Sequence, residues 1–134
     1  MSTKVSDYNR HDQQIWDEEL SDFVPHKVFD AHIHLFDPKH FDSTQTPAWG
    51  LAELSTLQQW AERLYPGSET HFLTLGTPRP GVDIEPHNAW CIEQVQQDPN
   101  SRLNRLVRPS CKVEDIRRDV EREGVVGLKP YRTF

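Results

Sequence analysis

Between Val28 and Phe36 the chain alternates: Phe29, Ala31, Ile33 and Leu35 fall on one side of an extended strand, Val28, Asp30, His32 and His34 on the other. Elsewhere apolar residues recur at helical spacing. Asp12 is expected to cap a first helix with a stripe of Ile15, Trp16, Leu20, Phe23 and Val24, which Pro25 ends. A second helix is predicted over 53–65, with Leu54, Leu57, Ala61 and Leu64 on one face and Gly67 beyond its end. Pro86 favours the first turn of a third, running to about Gln97 with Ala89, Ile92 and Val95 inward. A fourth is expected over 113–123, with Val113, Ile116 and Val120 as its stripe and Gly124 at its end. Segments 71–77, 103–108 and 125–129 read as further strands. Strands alternating with helices predict βαβ units and a parallel sheet.

A chain of 134 residues is one domain by length, large enough for a core but short of the roughly 250 residues of a complete parallel barrel. With 35% hydrophobic and 27% charged residues and a net charge of -6, it carries no electrostatic footprint for nucleic acid or an anionic membrane. The segment from Met1 to Arg10 is polar and lacks an apolar leader core, and no stretch approaches a membrane span, so a cytoplasmic protein with a small-molecule substrate is expected. Cys91 and Cys111 follow no paired spacing and read as reduced thiols.

The chemistry concentrates at His32 and His34. Two imidazoles two residues apart on a strand project the same way, with Cβ atoms about 7 Å apart, so both rings can reach one cation. A His-x-His triplet is also short and common. Its context favours a metal site: it lies at the C-terminal end of a strand, follows Asp30 on the same face, and precedes a long polar loop over 37–50. Parallel α/β barrels gather ligands and catalytic groups at that end. Asp30 reads as a hydrogen-bond acceptor at the barrel floor or as a residue orienting a ligand histidine. His40 and His71 have no partner spacing; His40 either reaches a substrate from its loop or faces solvent. Arg79 and Arg108, at or beyond strand ends, either hold a carboxylate substrate through a guanidinium fork or are surface charges. Trp49 and Phe41 either line a pocket or anchor the loop.

Phe29-Asp30-Ala31-His32-Ile33-His34-Leu35-Phe36 resembles the first strand of the metal-dependent amidohydrolase superfamily. Asn88, Asp98-Pro99 with Arg102, Val107-Arg108-Pro109 and Gly124-Val125-Val126-Gly127-Leu128-Lys129 follow in the order of its amidohydrolase-related (amidohydrolase 2) branch. The resemblance spans roughly residues 23–130. It implies an α/β fold, a partial (β/α)8 TIM barrel of four parallel strands with helices on the outer side, preceded by an N-terminal helix. Residues 1–25 would form the tail and that helix, and 26–134 the first half of the barrel. His32 and His34 match the family's first two ligands to a divalent cation, commonly zinc, which acidifies a bound water and polarises the substrate. Lys129 matches a lysine that in some members is carboxylated and bridges two metals and in others contacts substrate; an amine reaching solvent is the plain alternative.

The family's remaining histidine ligands and catalytic aspartate lie on strands five, six and eight, whereas this sequence ends at Phe134 after the fourth strand. The chain therefore reads as a truncated N-terminal portion, not catalytically competent by itself. Its bare strand edges would call for a homo-oligomeric partner or the missing C-terminal half. Hydrolysis of an amide, ester or lactone is the leading expectation. A lyase, either decarboxylase or hydratase, on the same scaffold is the alternative, and a noncatalytic fragment or interaction protein is the third.

Overall fold

The computed structural model describes residues 8–42 and 50–131. Four strands, β1 (Lys27–Leu35), β2 (Glu69–Gly76), β3 (Arg102–Val107) and β4 (Val125–Pro130), form one all-parallel sheet in sequence order. They are linked by α2 (Leu54–Leu64), α3 (Ile84–Val95) and α4 (Val113–Val120), and α1 (Arg10–Ile15) precedes them. The expectation of an α/β fold with a parallel sheet is met. Parallel neighbours joined by right-handed crossovers put the connecting helices on one face. The core sits there: Leu35, Phe72 and Leu103 from the strands pack with Leu54, Leu57 and Ala61 of α2 and Ile84, Ile92 and Val95 of α3. Gly67 (φ 76°) and Gly124 (φ 90°) turn the chain from α2 into β2 and from α4 into β4 through the left-handed region. Among the described residues no helix is long and apolar enough to cross a membrane.

The strict alternation expected of β1 is broken. Asp30 pairs with Phe72 and Ile33 with Thr74, so three steps along β1 match two along β2, and an extra residue bulges at Ala31 and His32. Partners in a parallel pair share a face, which puts Val28 and Asp30 on the side of Ile33 and Leu35. Phe29, not Asp30, shares the face of His34, and it is 51% exposed there. The cause is local: Asp30 Oδ1 accepts the main-chain N–H of His32 at 2.9 Å, the short side-chain-to-backbone bond that competes with a regular ladder.

Other expectations are also corrected. Asn9, not Asp12, caps α1, and Asp12 closes a capping box by accepting the Asn9 N–H at 2.7 Å. The helical path widens into a π-type turn over Trp16–Leu20, and of the expected stripe only Trp16 is buried while Phe23 is 82% exposed. Helix α3 begins two residues before Pro86, which the unbonded N–H groups of a first turn allow. In α4 the predicted apolar stripe is not what packs: Val113 and Val120 are exposed and Asp119 is buried. Asp119 turns inward because β3 presents the fully buried Arg105, whose Nε donates to Asp119 Oδ2 at 2.7 Å and whose Nη2 donates to Glu85 of α3. A guanidinium out of water requires such carboxylates. Strands β1 and β4 are the sheet's edges, and Val126 and Leu128 lie exposed along β4.

Candidate metal centre

His32 and His34 stand side by side at the C-terminal end of β1, with their Nε2 atoms 3.3 Å apart. Two nitrogens bound at about 2.0–2.1 Å to a tetrahedral zinc ion stand about 3.3–3.4 Å from each other, so the spacing fits a shared ion. The tautomer fits as well. His34 Nδ1 lies 3.1 Å from the Gly76 carbonyl, which only accepts, so Nδ1 carries the proton and the neutral ring keeps its lone pair on Nε2. Burial holds His34 below the ordinary histidine range, opposed by the Gly76 carbonyl and reinforced by the positive fields of His32 and Lys129. Among the described residues no third His, Cys, Asp or Glu joins the pair.

A second histidine pair resembles the first in spacing and differs in chemistry. His40 Nδ1 and His87 Nδ1 are 3.2 Å apart, but His87 Nε2 accepts the Thr77 N–H at 3.1 Å. The His87 proton is therefore on Nδ1, between the two rings, and the contact is a hydrogen bond to His40 with no lone pair left to share. His87 is fully buried, stacked on Trp90 with centroids 5.7 Å apart and edge-on to Phe41.

Lys129 shares the histidine face. His34, Leu75, Asn104 and Gly127 pair in turn across all four strands, and Lys129 lies two residues beyond Gly127 on the same side of β4. Its ammonium rests 5.4 Å from the Tyr131 ring centroid. Asn104 in this row was not singled out by the sequence; its carboxamide occupies the space over Gly127, where a Cβ would come within 2.5 Å of Oδ1.

The remaining expected residues disperse. His40 is buried, not solvent-facing, because the short helical turn Pro38–His40 folds its ring onto His87 and Trp90. His71, expected to stand alone, bridges Asp98 at 2.7 Å and Glu69 at 2.9 Å at the opposite end of β2 from Gly76. Asp30 faces away from His34 and acts on the His32 backbone. Arg79 is half-buried in the loop after β2. Arg108 follows β3, with its Nε buried and lacking a hydrogen-bond partner. Phe41 packs on Phe36 at 4.5 Å between centroids, and Trp49 lies outside the described residues. His87 and Arg105 had no spacing signal in the sequence.

Comparison of the chain with family models, with curated proteins and with solved structures finds no match.

Proposed function

We propose that this chain carries the first four β/α units of an amidohydrolase-type (β/α)8 hydrolase, with His32 and His34 as two ligands of a divalent cation, zinc by donor type. The observation that carries the reading is the pair of Nε2 atoms 3.3 Å apart, with the His34 lone pair placed on Nε2 by the bond of its Nδ1–H to the Gly76 carbonyl. A cation held by His32 and His34 would supply an acidified water for attack on an amide, ester or lactone. Lys129, on the same face, serves an anionic group near the ion. Two imidazoles leave a tetrahedral ion short of the three or more protein ligands of a catalytic site, so further donors come from outside the described residues. The pair by itself is accordingly a weak metal site that supports no turnover.

Cobalt(II) titration followed by d–d absorption, with elemental analysis after zinc loading, tests the site. One weakly held ion per chain is expected, lost in both His32→Ala and His34→Ala. Metal uptake unchanged in both variants would sink the proposal. A hydrolysis screen on amide, ester and lactone substrates is expected to stay at background, and robust metal-dependent turnover by this chain would refute the need for outside donors.

A further inference from the structure

The Gly76–Thr77 peptide group is held at both ends. Its carbonyl accepts the Nδ1–H of His34 at 3.1 Å, and its N–H donates to Nε2 of His87 at 3.1 Å. His87 in turn gives its Nδ1–H to Nδ1 of His40 at 3.2 Å. Every proton in this chain of three bonds points the same way, from His34 through the peptide to His87 and His40. Bonds aligned head to tail polarise one another, so a peptide N–H that donates to an acceptor makes the carbonyl of the same peptide a stronger acceptor.

We infer that His87 is a positioning residue for His34: by anchoring the shared Gly76–Thr77 peptide it keeps the Gly76 carbonyl, which fixes the His34 tautomer, aimed at the ligand ring. The inference rests on the metal-site reading for its functional meaning. The packing supports it independently. The His87 ring lies against Gly76 so closely that a Cβ there would meet its Cδ2 and Nε2 at 2.8 Å. Thr77 Oγ1 donates to the Leu35 carbonyl at 2.9 Å, tying the same segment to the residue after His34. The Cys91 thiol also faces His87 Nε2, at 3.9 Å, on the side of that nitrogen's lone pair. Groups that orient a metal-bound histidine by bonding its far nitrogen typically govern affinity 10- to 100-fold, and His87 acts one peptide further out on that bond.

The test compares His87→Leu, which cannot accept the Thr77 N–H, with His87→Gln, whose Oε1 can. Long-range ¹⁵N–¹H correlation spectra read the His34 tautomer in the metal-free protein, and zinc titration reads affinity. His87→Leu is expected to convert His34 from its Nδ1–H form to a tautomer mixture and to weaken zinc about 10-fold, while His87→Gln stays near wild type. A folded His87→Leu protein with an unchanged His34 spectrum would overturn the inference, since a purely structural role predicts lost stability alone. Should His87→Leu fail to fold, the wild-type spectrum decides: Nδ1–H on His87 supports the chain of bonds, and Nε2–H abolishes it. Absence of zinc binding by the wild type would overturn the metal reading instead, and the metal-free His34 spectra would still judge the role of His87.

Discussion

The carboxylate of Asp30 holds the main-chain N–H of His32 at 2.9 Å, and the strand bulges at that point. This relationship moves Asp30 off the histidine face while fixing the backbone from which His32 projects. Asp30→Ala is expected to cost about 1 kcal/mol of stability and to loosen the His32 ring, whereas Asp30→Asn, which keeps an acceptor, retains most of both. Urea unfolding and the His32 imidazole signals would check it; equal behaviour of the two variants would refute the role of the acceptor.

Gly76 leaves no space for a side chain. Gly76→Ala presses its methyl against the enclosed His87 ring and the Leu106 side chain, which a Cβ would approach at 2.8 and 3.0 Å. A loss of about 1–3 kcal/mol is expected from overpacking, read by chemical denaturation. Full relief in a Gly76→Ala/His87→Ala double variant, relative to His87→Ala, would identify His87 as the obstacle.

Asp119→Ala strands the buried Arg105 guanidinium with one carboxylate fewer. The expected loss is about 3–5 kcal/mol, larger than for any truncation of the exposed Val113 or Val120. Replacing Arg105 and Asp119 together by apolar residues should recover much of it. Asp119→Ala stability within 1 kcal/mol of wild type, by roughly the error of urea extrapolation, would contradict this account of how α4 docks.

Stability should fall with acid because His87 is neutral when folded. Burial, helped by the field of His40, pushes it from the ordinary 6.5 down to about 3. The folded value lies below the unfolded one, so the contribution is complete above pH 6.5 and is lost as pH falls toward 3, by at most about 1.4 kcal/mol per unit. His34 and His40 are lowered too and act in the same direction. His71 acts oppositely: its bond to Asp98, with Glu69 assisting against burial, raises it, so its stabilisation is full below its unfolded value and is lost as pH rises through the folded one. Urea midpoints from pH 4 to 8 should show a shallower acid loss in His87→Gln and a steeper one in His71→Gln. Curves parallel to wild type would contradict both assignments.

Exposed Val126 and Leu128 on an edge strand predict self-association. Leu128→Lys is expected to lower the apparent mass in sedimentation at high concentration without loss of helicity. A wild-type chain that stays monomeric at every accessible concentration would refute it.

What the sequence by itself determined was the order and kind of the elements. Period-two apolar runs, period-3.6 stripes and glycines such as Gly67 and Gly124 are local signals, and a parallel sheet follows from their alternation. The spacing of His32 and His34 was legible for the same reason, since residues two apart on a strand must project together. Tertiary structure decided what depends on distant partners. The Asp30 bulge shows only against the β2 register, and α4 buries Asp119 over Val113 because Arg105 waits on β3. His40 and His87, 47 residues apart, meet only when the loop after β1 folds against α3. The Thr77 N–H at His87 Nε2 and the Gly76 carbonyl 42 residues beyond His34 select which nitrogen of His87 and of His34 carries its proton, because a tautomer answers to the partner in space and not to the neighbour in sequence.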